Sequence, residues 1–392
     1  MVRIPIIILA FYISITSVFA QRTDSVSYES RKLKVDEVNF VSSYYRQDGN
    51  NAAVTGGIGS EHLTDLATTL DIKLSRIDRK RRTNVYNFEV GIDTYTSASS
   101  DKVDPSTISS ASSSDQRIYP SLSWSRLDDV KGTTTGATFS VSSEYDYLSF
   151  GGGVNYFKDS KDRNSQVGVR LQTFQDFVTM IYPIEQRSGK NSGSMESRNT
   201  YSTTLSYSQI VNTRLQVLFL LDLAFQKGFL SLPFNRVHFD NDIVGIENLP
   251  GKRIKYPASV RLNYFVGDLF VVRSFYRYYQ DDWGLKSHTA EVETPVKITP
   301  FISVSPFYRY YRQTAVDYFA AFGKHNADEE FYTSDYDLSG FDSHFFGAGF
   351  RMVSPKGILG ITKFNMIEIR YGHYSRDTGL TSNIVSLNAK FK

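Results

Sequence analysis

Arg214-LQVLFLLDLAF-Gln226 alternates. Leu215, Val217, Phe219, Leu221, Leu223 and Phe225 share one parity. Arg214, Gln216, Asp222, Ala224 and Gln226 share the other, with Leu218 and Leu220 as exceptions. A period of two puts these sets on opposite faces of an extended strand. The rhythm continues outward from this stretch. Residues 83–97 set Tyr86, Phe88, Val90 and Ile92 against Asn87, Glu89, Gly91 and Asp93. Residues 63–75 set Leu66, Leu70, Ile72 and Leu74 against Asp65, Asp71, Lys73 and Ser75, and residues 199–211 set Tyr201, Leu205 and Tyr207 against Ser202, Thr204 and Ser206. Segments of about 10–14 residues exceed the ~5–6 of a soluble sandwich strand and suit a tilted strand crossing an outer membrane. Their polar face is mostly Ser, Thr, Gly and Asn, which fits a wet lumen better than a charged soluble exterior.

A chain of 392 residues could hold two or three soluble domains or one large closed sheet. With 26 Tyr, 28 Phe and 26 Gly, and no long apolar run after the first twenty residues, a helical membrane protein is excluded. The absence of cysteine excludes disulfides, thiolate metal sites, thiol nucleophiles and lipid attachment at a Cys. Lys and Arg number 44 against 41 Asp and Glu, too even a balance to argue for nucleic acid. Residues 1–20 carry Arg3, an apolar run from Ile4 to Ile15 and a small-residue exit at Ala20. They read as a secretory signal peptide, exported through the Sec pathway of a Gram-negative bacterium. Residues 21–34 then form a short periplasmic tail, and residues 35–392 an all-β, transmembrane, antiparallel up-and-down barrel.

Sixteen alternating segments run from Val35 to the C terminus. Tight turns are expected at 78–82, 128–132, 159–164, 212–213, 266–268, 297–300 and 354–357. Longer loops are expected at 47–61, 98–116, 184–198, 228–253 and 314–340. An even count, with short turns on one side and long loops on the other, is what a single-chain outer-membrane barrel requires. Tyr44, Tyr95, Trp124, Tyr264, Tyr278 and Tyr371 near segment ends read as interfacial girdles. The final stripe of Val385, Leu387, Ala389 and Phe391 suits recognition by the barrel-assembly machinery, with Lys392 as an extra residue.

The six histidines have no metal-ligand spacing, and on parity His288 and His344 point outward, away from catalysis. No nucleophile elbow, phosphate loop or dinucleotide motif occurs; Gly56, Gly57 and Gly59, and Gly347 and Gly349, read as loop flexibility and strand sites that exclude bulk. No enzyme activity, cofactor or firm metal site is expected. Asp101, Asp104, Asp240, Asp242, Asp335 and Asp337 are weak calcium candidates without EF-hand spacing.

The strongest local constellation is the near-repeat Phe275-Tyr-Arg-Tyr-Tyr279 and Phe307-Tyr-Arg-Tyr-Tyr311. Parity sends Arg273, Arg277, Tyr279, Arg309 and Tyr311 inward, with Glu291 and Glu293 between them. This is read either as a wall held by Arg–Glu pairs or as a constriction that selects solutes by charge. Arg261, Arg351 and Arg370 extend the basic wall, partly offset by Glu368; Asp71, Glu89, Asp93 and Glu144 form an opposite acidic wall. A tight hairpin at 280–284 sets Arg273 opposite Glu291 and Arg277 near Ser287. The turn at 297–300 sets Glu291 near Ser305 and Arg309 near Ser287. On that register Arg277 and Arg309 lack carboxylate partners.

Four stretches are familiar as literal sequence: Arg31-KLKVDEVNFVSSYYRQDGNNAAVTGG-Ile58, Val90-GIDTYTSASSDKVDPSTISSASSSD-Gln116, Phe275-YRYYQDDWGLKSH-Thr289 and Tyr332-TSDYDLSGFDS-His344. They resemble the uncharacterised bacterial family "domain of unknown function 3570" over nearly all of the mature chain. The resemblance implies a secreted, β-rich outer-membrane protein. It also implies a gene neighbourhood with a small lipoprotein-like partner, a thioredoxin-like protein and a flavin transferase, and it assigns no activity to any residue. A pore or selective channel is therefore the leading expectation. A scaffold or conduit in an extracytoplasmic redox assembly and a barrel hydrolase are the alternatives. Expected partners are outer-membrane lipid and the assembly machinery, with a lipoprotein or redox protein open; the oligomeric state is undetermined.

Overall fold

A computed structural model describes residues 32–96, 114–183 and 193–392. The leader, most of the N-terminal tail, Asp101 and Asp104 lie outside these residues. The strands are β1 (Lys34–Asp48), β2 (Leu63–Ile77), β3 (Thr83–Thr96), β4 (Ser114–Asp128), β5 (Thr133–Ser143), β6 (Tyr147–Asp159) and β7 (Ser165–Thr179). Then come β8 (Met195–Asn212), β9 (Leu215–Gly228), β10 (Arg236–His238), β11 (Val244–Ile246), β12 (Lys252–Lys255), β13 (Ala258–Val266) and β14 (Phe270–Gln280). The last are β15 (Lys286–Glu293), β16 (Val296–Lys297), β17 (Ile302–Gln313), β18 (Phe341–Val353), β19 (Phe364–Arg376) and β20 (Thr381–Phe391).

Strands β10 and β11 form a separate hairpin inside a loop. Pro257 divides β12 from β13 and Pro295 divides β15 from β16, because proline has no N–H to give the ladder. Each divided pair is one crossing segment, so sixteen segments cross. All pair antiparallel with their chain neighbours, and β1 pairs with β20 from Val38↔Phe391 to Asp48↔Thr381. The sheet is closed, which removes every edge.

The register carries one parity round the whole ring. Tyr44 pairs with Leu66 and Val385, Phe88 with Leu122, Leu205 with Leu221, Tyr308 with Phe346. These side chains point outward, where Phe219 and Leu221 are 51% and 54% exposed. A closed barrel with an apolar exterior and a polar interior is matched to lipid rather than water, so the fold is a transmembrane β-barrel. Tyr95 departs from the expected girdle: its register with Asp65 turns it inward, where its hydroxyl donates to Glu144 at 2.8 Å. The turn expected at 354–357 is also longer, running from β18 to β19 over residues 354–363.

Inside, several rings lie against glycines. A Cβ on Gly91 would stand 2.0 Å from the Tyr119 ring, one on Gly168 2.2 Å from Phe157, and one on Gly372 2.5 Å from Phe345. The missing side chains let bulky rings hug the wall instead of filling the bore.

The long loops do not stand free. Residues 49–62 follow the first crossing segment and residues 229–251 follow the ninth, so in a ring of sixteen they rise from opposite sides of the mouth. Yet Arg236 donates to the Val54 carbonyl at 2.6 Å. A Cβ on Gly56 would lie 2.5 Å from His238, and one on Gly57 2.6 Å from the Ser334 carbonyl. Gly56 and Gly57 also hold φ of 83° and 85°, so both backbone conformation and close approach require glycine there. The loops therefore bridge the mouth.

Candidate functional site: a charged lumen beneath a loop cap

On β14 the inward side chains are Arg273, Phe275, Arg277 and Tyr279; on β15 they are Thr289, Glu291 and Glu293. The observed register pairs Arg273 with Glu293, Phe275 with Glu291, Arg277 with Thr289, and Glu291 with Arg309. The expected pairs were two residues out at the first turn and four at the second. The first turn spans residues 281–285, one residue further along than expected, because Asp281 Oδ1 accepts the amides of Trp283 (3.0 Å) and Leu285 (3.1 Å). The second shifts because β16 continues the ladder beyond Pro295, with Val296 opposite Val304. Both displacements are even, so every residue keeps its face while changing its partner.

Arg309 is consequently paired, 3.9 Å from Glu291. Glu293 holds two guanidiniums, Arg370 at 2.9 Å and Arg273 at 3.5 Å, and Arg370 also reaches Glu368 at 3.1 Å. Rings back these cations: Arg309 lies 4.8 Å from the Phe345 ring centre, Arg370 5.0 Å from Phe307, and Arg261 5.5 Å from Phe275. Gly347 and Gly372 leave the floor on which Phe307 and Phe345 rest. Among the described residues, Arg261, Arg277 and Arg351 have no carboxylate within 4.0 Å. Arg261 lies opposite Phe275 and over its ring, and Arg273 and Arg277 flank Phe275 two residues away on the same inward face, so three arginines share one stretch of wall.

Across the bore, β2 and β3 turn Asp65, Asp71, Glu89 and Asp93 inward. Asp71 accepts from Asn39 (3.2 Å) and Asn87 (2.5 Å), and Asp93 from Tyr119 (2.8 Å). Strands β2 and β3 are the second and third crossing segments; β13 and β14 belong to the tenth and eleventh. The acidic group and the arginine cluster therefore face one another across the ring. Glu144 sits above the acidic strands, 3.4 Å from Arg117, and burial pushes its carboxyl above the ordinary range.

The cap has its own core. Leu249 and Val316 pack with buried Trp283 and Leu285, and Val237 and Phe239 are buried as well, Phe239 against the ring of His325. Glu247 accepts from Thr333 (2.6 Å) and from the Leu232 amide (2.7 Å), yet burial holds its carboxyl above the normal range. Asp335 accepts from the Asp337 amide at 2.9 Å and is pushed up to about 7, first by burial and then by the charges of Asp337 and Glu247. Asp337 pairs with Arg376, an inward residue of β19, at 2.9 Å, which ties the cap to the basic wall.

Of the expected site residues, Tyr279 donates to Asp281 (2.7 Å) and Tyr311 to Gln313 (2.5 Å), so both brace the wall beneath the cap. Asp240 and Asp242 are exposed, while Asp335 and Asp337 serve the cap. The carboxylates that do gather, within 4.8 Å of one another, are Asp115, Glu144 and Asp146. Both ring nitrogens of His325 are engaged, by Glu329 (2.6 Å) and the Thr333 carbonyl (2.9 Å). Sequence reading missed the cap and Arg376; only the unusual length of loop 314–340 hinted at either.

The fold and lumen define a transmembrane β-barrel with a charged bore and a loop cap. The chain belongs to the family described as protein of unknown function (DUF3570), whose model matches residues 80–377. No curated protein matches it. Among solved structures it is similar to a bacterial polysaccharide outer membrane secretin, at 10% identity and TM-score 0.45, covering 93% of this chain and 99% of that one. It is also similar to OccK9 (OpdG) of Pseudomonas aeruginosa (9%, TM-score 0.46, 92% and 99% covered). A third is a BenF-like porin from Pseudomonas fluorescens Pf-5 (9%, TM-score 0.44, 91% and 98% covered).

Proposed function

We propose that the protein is a selective channel of the outer membrane, passing small polar solutes between an acidic and a basic wall. The observation that carries this reading is the placement of Arg261, Arg273 and Arg277 opposite Asp65, Asp71, Glu89 and Asp93. A barrel of sixteen strands leaves an aqueous interior, and opposed charges set a field across it that orients dipolar solutes. An enzyme reading has less support, since the buried histidine of the cap is fully bonded. Arg261 and Arg277, without carboxylate partners, keep their full attraction for anions, whereas Arg273, Arg309 and Arg370 mainly stiffen the wall. In planar bilayers the purified protein should conduct, and Arg261→Ser with Arg277→Ser should move the reversal potential in a salt gradient toward cation preference. Unchanged selectivity in a conducting double variant removes the role of these arginines; a wild type that never conducts removes the channel.

A further inference from the structure

The outer surface is asymmetric. Toward the long-loop end, strands β14 to β20 turn Tyr276, Tyr308 and Tyr371 outward together with His288, His344 and His373. Tyr276 Oη lies 2.7 Å from His288 Nδ1, Tyr308 Oη 2.7 Å from His344 Nδ1, and His373 Nδ1 3.0 Å from Asn383 Oδ1. Lys286, one pleat step nearer the rim than His288, Arg312, level with His288, and Arg46, level with His373, point the same way and are exposed. Arg312 has Asp342 at 3.5 Å. Lys286 and Arg46 have no carboxylate within 4.0 Å among the described residues. On the opposite side, β3 to β8 present Thr94, Gln116, Gln175 and Asn199 at the corresponding outward positions, and no cation.

An apolar groove adjoins this band. About 460 Å³ of space opens on the outer face over Leu205, Phe219, Leu221, Ala258, Val260 and Tyr276, where Ala258 leaves the wall low. The register Ala258↔Tyr278↔His288↔Arg312 leads directly from the groove to the cations. The face thus joins a slot for hydrocarbon to a one-sided cluster of N–H and O–H donors.

We propose that this face docks a phosphorylated acyl glycolipid of the outer leaflet, with an acyl chain in the groove and a sugar phosphate on Lys286, His288 and Arg312. The inference rests on the outer-membrane placement with the long loops outward. Guanidinium and ammonium groups match phosphate oxygens, and tyrosine and histidine suit the headgroup level. A lipid with a single diffuse charge would be served by donors spread evenly round the barrel. Clustered donors fit clustered phosphates. A second copy of the chain fits less well, because a two-fold contact would set like charges against each other.

The test uses the mature protein in neutral detergent, titrated with lipopolysaccharide and with the same lipopolysaccharide after dephosphorylation. Wild type should bind the phosphorylated form at least tenfold more tightly. Lys286→Gln with His288→Gln and Arg312→Gln should abolish that difference while conductance and heat-resistant gel mobility stay unchanged. Should the triple variant not fold, Lys286→Gln alone should reduce the preference at least threefold. Equal affinity for both forms, preference for phosphatidylglycerol vesicles, or a variant that keeps the preference overturns the proposal. A variant that only converts dimer to monomer overturns it too, naming a second copy as occupant. Binding in detergent is independent of conduction and of cell location. Absence from outer-membrane fractions would therefore fail the placement and leave the lipid site standing.

Discussion

At the scale of the residue, parity decides solvent, and neighbours can have opposite fates. Leu221 faces lipid and pairs with Leu205, whereas Asp222 faces the lumen and accepts from Thr204 at 2.5 Å. Leu221→Arg should cost about 2–4 kcal/mol and impair assembly, because a guanidinium must then enter hydrocarbon. Asp222→Ser should be mild, since a hydroxyl and lumen water can satisfy Thr204. Urea unfolding in detergent micelles reads both, and equal tolerance would contradict the lipid-facing assignment. Which way each of these side chains points was legible in the sequence, because a period of two needs no knowledge of distant contacts. Partners were not legible. Glu291, read as facing Arg273 and Ser305, faces Phe275 and Arg309 instead, because the turn held by Asp281 lies one residue further along and the ladder continues beyond Pro295. A register slip of two preserves every face and changes every pair.

The loop elements gain their order from one another. Loop lengths could be counted in the sequence, but the meeting of residues 49–62 with 229–251 depends on ring closure, which no local pattern encodes. Loop 314–340 completes the cap and carries its titratable group. Asp335, pushed up to about 7 from 3.8, keeps its proton in the folded cap at pH values where the unfolded loop has lost it. Stability from this group is therefore full below pH 3.8 and lost as pH rises toward about 7, at up to ~1.4 kcal/mol per pH unit. Glu247, also raised by burial, acts in the same direction. Glu329 acts in the opposite one: burial raises it, but the bond from His325 and the Asn326 amide bring it below the normal range. Hydrogen exchange of the 314–340 amides, corrected for intrinsic rates, should show protection falling between pH 4 and 7. Asp335→Asn, which keeps the acceptor for the Asp337 amide, should flatten that slope; an unchanged slope assigns it to Glu247. Removing residues 236–246 tests the cap mechanically. Single-channel conductance should rise once the bridge across the mouth is gone, and an unaltered conductance would place the path elsewhere.

The whole molecule has two unlike ends. Strands β2 and β3, β4 and β5, β8 and β9, and β13 and β14 are joined by short turns at the end where β1 begins and β20 finishes. The other end carries the cap. Outer-membrane barrels keep their short turns periplasmic and their longer loops extracellular, so the loops cross the bilayer before the cap closes over buried Glu247 and His325. The start of β1 and the finish of β20 at the short-turn side also match a barrel assembled from the periplasm. The expected topology is therefore loops outward and turns inward. Epitope tags at Gly193, Asn241 and Asp328, all exposed, should be reached by antibody on intact cells. Tags at Asp129 and Asn212 should be reached only after the outer membrane is permeabilised. Labelling at the turns and silence at the loops would invert the barrel. It would place the cap in the periplasm and turn the basic, tyrosine-rich rim toward the inner leaflet, where a phosphorylated glycolipid of the outer leaflet could not meet it. Labelling of neither set on intact cells, with both reached in lysates, would remove the protein from the cell surface altogether. Conductance of the purified barrel would survive either result, because the opposed charges of the bore are fixed by register and not by orientation.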